Sequence, residues 1–375
     1  MTGMTLPMLI DHRAEPVPVT DTPRIQVVAP GPHYSTKDVY DGAIAGLRAL
    51  GTVDVLGLDY HFDLMVAGRI EGELEGDEAA RFGNLTSYAS HRAVAMAMAF
   101  RPDLILFISG TIFPPAVAAM LGQYTQTAVW LTESPYQDEG EYAVQSFYKY
   151  AFTNERLMVD RIVAKRIEDG HPYPGAVHYL PHGFDPLRHY PRTDVPDEYR
   201  SDVCFIGSPF PERQALLSGV DWTGIDFVSR GVWSTRSLED TLHTLPDNVP
   251  NEEAQLYYAG AKINLNHHRL VKWYGFDAEI APDEADSLNP RVYELAAGKC
   301  FQICDDSRDE LRDIFGNSIP TYSHRDPADL ERVIRYYLAH PEERERCAQE
   351  AYERVQSHTV AARMRVVLDT CLADM

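Results

Sequence analysis

Long apolar runs are missing from this 375-residue chain: none approaches the roughly 18 consecutive apolar residues of a membrane-spanning helix. Cysteine is scarce. The five present (Cys204, Cys300, Cys304, Cys347, Cys371) show no metal-ligand spacing, which fits reduced, mostly buried thiols in a cytoplasmic protein better than a zinc knuckle. Basic charge is short as well. Lys and Arg number 34 against 56 Asp and Glu, a net −22, far from the footprint of a dedicated nucleic-acid binder. No Asp-x-Asp triplet and no His-Glu-x-x-His occurs, so two familiar signs of a metal site are absent. The opening residues lack a basic start and a long apolar stretch; 1–22 read as a flexible arm and not as a signal peptide.

What is present is ordinary soluble composition, 45% apolar and 24% charged, at a length that suits two domains. Short β-rich runs alternate with helical stretches, the mark of parallel α/β sheets. "RIQVVAP", "VDVLGLD", "PDLILFISG", "TAVWLTES", "KYAFTN" and "AVHYLPHG" supply strands for a first domain over 23–185. After the turn-rich "FDPLRHYPRTDVPDEYRS" the alternation restarts at "DVCFIGS" for a second domain over 186–355, and 356–375 read as a C-terminal helical segment. Two doubly wound sheets put the ligand site at the carboxyl ends of strands, in the cleft between them.

The stretch "DSLNPRVYELAAGKC" (286–300) carries the sharpest local signal. Asn289 is a good N-cap, Pro290 suits the first helical position, and Gly298 stops the helix. With Val292, Leu295 and Ala296 turned to the sheet, Arg291 and Glu294 share another face. A helix start reinforced by Arg291 attracts phosphate, and Glu294 can accept from vicinal hydroxyls such as those of a ribose. An ordinary surface salt bridge is the competing reading of the pair.

Asp286 stands eight positions before Glu294, and that spacing resembles the donor-site signature of GT-B glycosyltransferases. "SLNPRVYELAAGKC" is similar to the C-terminal motif of the spore-maturation CgeB-like glycosyltransferases, relatives of the retaining family 4. "DVCFIGSPFPERQALL", "VSRGVW" and "AKINLNHHR" resemble that group's first C-domain strand and glycine loop, its base-facing loop, and the strand before its donor loop. "GPHYSTKDVYDGAIAGLRALG" and "WLTESPYQDE" are similar to its N-domain motifs, including those of members encoded by bacteriophages. The resemblance spans about residues 24–360 and departs at Asp286, where the group has Glu, and in the long acidic insertion 270–285.

The resemblance implies a GT-B fold, a nucleotide-diphosphate sugar as donor, no metal or other cofactor, and a catalytic role for Asp286. Arg213, Arg269 and Arg291 are candidates to neutralise phosphate, with Gly207 and Ser208 letting the backbone approach the donor. Gly207 ending a strand and Arg213 sitting in solvent are the plain alternatives. Trp233 with Arg230 can frame a nucleobase, although Trp is also a common core filler. His267 and His268 follow "INLN"; alternation sends one inward, and a structural histidine competes with donor binding by His267. On the acceptor side, His33 and Glu133 follow strand ends and suit orientation or deprotonation of a hydroxyl. The acceptor stays open among a small molecule, a glycan, a protein and a hydroxylated base in phage DNA. A non-hydrolysing nucleotide-sugar epimerase and an inactive nucleotide-sugar-binding module are the alternatives.

The missing metal clamp yields a first test. Sugar transfer should continue at close to its full rate in EDTA; loss in chelator, restored by manganese or magnesium, would show the phosphate site to be misread.

Overall fold

The computed structural model describes residues 22–28, 37–71, 78–172, 176–208, 210–230, 243–245, 249–270 and 285–373. The first sheet contains β1 (Arg24–Val28), β2 (Asp54–Leu58), β3 (Leu104–Ile108), β4 (Gln126–Leu131), β5 (Tyr150–Thr153) and β6 (Val177–Tyr179). Its order is β2-β1-β3-β4-β5-β6, and every pairing is parallel. The second contains β7 (Ser201–Ile206), β8 (Phe227–Arg230), β9 (His243–Leu245), β10 (Ala261–Asn266), β11 (Gln302–Asp305) and β12 (Thr321–Tyr322). Its order is β12-β11-β10-β7-β8-β9, again all parallel.

Parallel strands covered by helices on both faces need apolar side chains on both faces. β3 shows this most fully: all five residues of "LILFI" are buried. No helix among the described residues is long and apolar enough to cross a membrane. All five cysteines are buried free thiols.

The chain crosses between the sheets twice, and the two crossings run side by side. Phe184 N–H donates to the His358 carbonyl (3.1 Å), and Val360 N–H donates to the Phe184 carbonyl (2.9 Å). Beyond the second crossing, the Val360–Cys371 helix packs on the first domain: Met364, Val367, Leu368 and Cys371 belong to its core. That helix lies across the Lys37–Leu50 helix at Gly42 and Gly46. A β-carbon on Gly46 would stand 2.8 Å from the Val360 carbonyl carbon and oxygen, which are backbone atoms that cannot rotate away.

Two glycine substitutions separate helix propensity from this close approach. Gly140 sits in the Asp138–Gln145 helix with nothing near its would-be β-carbon, so Gly140→Ala should stabilise by up to about 1 kcal/mol. Gly46→Ala gains the same propensity but forces two helices apart, and should lower stability by about 1–3 kcal/mol. Urea unfolding of both variants checks the signs; a stabilised Gly46→Ala would show that the helices do not rest on that glycine.

Candidate active site

The site is assembled at the carboxyl ends of strands, beginning with an irregular segment that is buried from Ala285 to Leu288 and ends at half-buried Asn289. Buried backbone N–H groups outside regular structure need other acceptors. Here side chains provide them one after another. Glu155 Oε2, just past β5 in the first domain, accepts from Asp286 N–H (3.0 Å) and Ser287 N–H (2.9 Å). Glu310 Oε2 accepts from Leu288 N–H (3.0 Å), and His268 Nε2 accepts from Asn289 N–H (3.3 Å).

The segment delivers the chain into the Pro290–Ala297 helix. Asn289 caps it by accepting from Val292 N–H (3.3 Å), Pro290 takes the first helical position, and Gly298 is its C-cap. Val292, Leu295 and Ala296 are fully buried, so Arg291 and Glu294 turn into a cleft of about 790 Å³ between the domains. Arg291 Nε donates to the Tyr258 hydroxyl (3.1 Å). Glu294 Oε1 lies 4.0 Å from His189 Nε2.

Arg213 and Arg269 of the second domain face the same space, which Arg188 and Arg192 line as well. Arg213 is buried, donating to the Ser208 carbonyl (3.0 Å) and the His267 carbonyl (2.7 Å), with the Phe205 and Phe210 rings beside it. Burial, then the charge of Arg291, brings its pKa down to about 10, which leaves it cationic at neutral pH. Arg269 is sandwiched between Phe210 (4.4 Å) of its own domain and Tyr136 (4.7 Å) of the other. Such stacking orients a guanidinium without neutralising its charge.

The first-domain wall includes Glu133, Tyr136 and His182. Burial, with Arg363 nearby, lowers the His182 pKa to about 4, so its imidazole is neutral. His182, Tyr136 and His189 were not among the residues expected from sequence. His182 does follow strand β6, and "YLPHG" at a strand's carboxyl end is a signal that could have flagged it.

Arg213, Arg269, Asn289, Arg291, Glu294 and Glu133 thus meet around one cleft. Others do not. Asp286, expected to be catalytic, is not among the lining residues: its carboxylate is ion-paired with Arg156 and accepts from Glu310 N–H (3.0 Å). His267, expected at the donor, is fully buried with Nδ1 on the Tyr322 hydroxyl (2.9 Å). Gly207 and Ser208 stand behind Arg213; a β-carbon on Gly207 would come within 3.3 Å of its Nη1. Arg230 lies over the Tyr257 ring (4.5 Å), 3.9 Å from Glu253, away from the lining. His33, Trp233 and 271–284 of the acidic insertion lie outside the described residues.

Residues 211–369 match the glycosyl transferase-like family. Spore protein CgeB of Bacillus subtilis (strain 168) is 26% identical over 267 residues, 68% of this chain and 78% of that protein. Among solved structures, an α-glucosyltransferase in complex with UDP-glucose and DNA containing an abasic site matches with TM-score 0.64 at 10% identity, over 93% of this chain and 99% of that one. Anabaena Alr3699/HepE in complex with UDP and glucose matches with TM-score 0.58 at 11% identity, over 94% and 100%. These likenesses show the GT-B fold, and the family match with that fold supports sugar transfer in general. The resemblance read from the sequence motifs holds for the glycosyl transferase-like family and Spore protein CgeB, and these matches do not extend it to bacteriophage-encoded members.

Glu310 generates a pH test. Burial raises its pKa from 4.5 to about 7, against the opposing pull of Tyr179, the Leu288 amide and Arg156. A carboxyl whose folded pKa lies above its unfolded one binds more protons when folded. Its ionisation therefore opposes folding, not at all below pH 4.5 and fully above about 7. Between pH 5 and pH 8, Glu310→Gln should gain about 3 kcal/mol on the wild type in urea titrations. An unchanged difference would show that the carboxyl is not held protonated.

Proposed function

We propose that the protein is a glycosyltransferase that moves a sugar from a nucleoside-diphosphate sugar to an acceptor hydroxyl. The observation that carries this reading is the second-domain wall of the cleft. Arg213, Arg269 and Arg291 share it with a capped helix start, and Glu294 stands one turn further in. Guanidinium groups and a helix N-terminus suit a departing diphosphate, and a carboxylate beside them suits ribose hydroxyls. UDP is the first nucleotide to try, because two proteins of this fold were solved with UDP or a UDP-sugar.

On this reading the arginines meet the phosphate charge and no metal is required. The bond from the sugar's anomeric carbon to the phosphate oxygen breaks, a bond to the acceptor oxygen forms, and the departing phosphate takes the acceptor's proton. Retention of configuration follows from the resemblance to family 4. Glu133, Tyr136 and neutral His182 are left to orient the acceptor. A hydroxylated DNA base is one acceptor to offer, in line with the DNA-bound neighbour, although a net charge of −22 restricts DNA to a small footprint. A cytoplasmic site of action fits the five buried free thiols.

Mass spectrometry of reactions containing UDP-sugars, with hydroxymethylated DNA, glycans and small hydroxylated acceptors in parallel, tests the reading. A new glycoside supports it. Conversion of the nucleotide sugar without any acceptor would mean an epimerase, and binding with no turnover would mean a sugar-nucleotide-binding module. Glu294→Ala should weaken donor binding roughly tenfold to a hundredfold, with the thermal midpoint nearly unchanged because Ala suits a helix and this half-buried side chain faces the cleft, not the core. Wild-type affinity in a folded Glu294→Ala protein would remove Glu294 from the donor site.

A further inference from the structure

Away from the cleft lining formed by the described residues, His268, Cys304 and Asp305 form a buried group whose potential ligand atoms lie within 4.8 Å of one another. Such a trio invites a metal, but its atoms are already spent. Asp305 Oδ2 accepts from both the backbone N–H (2.6 Å) and Nδ1 (2.9 Å) of His268. Asp305 Oδ1 accepts from the Ser307 amide (3.1 Å) and its hydroxyl. Burial holds the Cys304 thiol far above its ordinary pKa, so it stays protonated and ligates poorly.

These bonds fix the imidazole. With the proton on Nδ1, turned to Asp305, Nε2 is left as an acceptor, and it receives Asn289 N–H (3.3 Å). Asn289 is also held by its side chain. Asn266, at the end of β10, exchanges two amide bonds with it, Asn266 Nδ2 to Asn289 Oδ1 (3.4 Å) and Asn289 Nδ2 to Asn266 Oδ1 (3.1 Å). Asn289 is the N-cap of the helix that carries Arg291 and Glu294. The carboxyl ends of β10 and β11 therefore meet the start of that helix through two links at Asn289: carboxylate, imidazole and backbone amide on one side, and the paired Asn266 and Asn289 side chains on the other.

We propose that His268, oriented by Asp305, is a positioning residue for the donor site: it fixes Asn289, and through it the aim of Arg291 and Glu294 into the cleft. The claim rests on the functional reading above for what the helix binds, and on hydrogen bonds alone for how the helix is held. Neither His268 nor Asp305 lines the cleft formed by the described residues, so an effect on binding reaches it through the residues they hold, Asn289 and the adjacent Arg269.

The full chain carrying His268→Ala, His268→Gln or Cys304→Ala separates positioning from packing. A glutamine oxygen can stand where Nε2 stands and accept the same amide, whereas alanine leaves that amide bare. Cys304→Ala removes a buried neighbour that makes no bond to Asn289. Hydrogen exchange over the peptide containing residues 286–294, read by mass spectrometry, should be about tenfold faster in His268→Ala, near wild type in His268→Gln and near wild type in Cys304→Ala. Calorimetry with UDP should show about tenfold weaker binding in His268→Ala, restored in His268→Gln. Should His268→Ala fail to fold, His268→Gln against Cys304→Ala still decides. Equal exchange in His268→Gln and Cys304→Ala above wild type overturns the proposal, as does zinc that copurifies with the wild type and is lost with His268. If UDP does not bind the wild type, the choice of nucleotide in the functional reading fails while the exchange result still judges the positioning.

Discussion

Capture of four consecutive backbone amides, Asp286 to Asn289, by the buried side chains of Glu155, Glu310 and His268 is the constraint on which the site depends. An irregular segment cannot satisfy its own backbone, and a bare N–H in the interior costs about 1–3 kcal/mol. Each acceptor therefore does more than fill a gap: it sets the path by which the chain enters the helix bearing Arg291 and Glu294. Acceptors at three separate points leave little freedom for that path to rotate or slide.

The same device ties the domains together. Glu155 belongs to the first sheet's strand ends, yet two of the amides it holds belong to the second domain. Its neighbours repeat the pattern: Arg156 pairs with Asp286 and Asp313, and Tyr179 is hydrogen-bonded to Glu310. Burial raises the pKa of both Glu155 and Glu310, which is the electrostatic penalty for using carboxylates as interior acceptors. Arg156 offsets part of it. A junction built this way is polar and directional, so it fixes orientation more firmly than an apolar contact of similar size would.

Local signals were legible in the sequence because local physics decides them. Asn289, Pro290 and Gly298 punctuate a helix through their own backbones, and the burial of Val292, Leu295 and Ala296 then forces Arg291 and Glu294 to another face. Parallel strands announced themselves by continuous apolar runs such as β3. Asp286 was misjudged because spacing to Glu294 says nothing about Arg156, 130 residues earlier, which claims its carboxylate. His267 was misjudged for a related reason: alternation would send one of two adjacent histidines inward, but both are buried, His267 held by Tyr322 and His268 by Asp305. His182 and Tyr136 reach the cleft by tertiary folding, and no pattern within a single element marks them.

The cleft's cations also explain how a chain of net charge −22 can present a site for anions. Arg213 is held by two carbonyls and two aromatic rings, and Arg291 by a phenol, partners that orient a guanidinium without cancelling its charge. Contrast Arg188 at the same cleft, whose guanidinium is shared among Asp38, Asp41 and Asp185. Burial, then the like charge of Arg291, pushes the pKa of Arg213 down. On the proposed reading a diphosphate beside the two guanidinium groups would relieve that repulsion. Acidity elsewhere on the surface leaves this local field largely intact, since screening confines exposed charges to about 8–10 Å. The sign of the site is therefore set locally: the hydrogen-bond partners of Arg213 and Arg291 are neutral, and carboxylates such as Glu212 and Glu294 act on them through space without sharing those bonds.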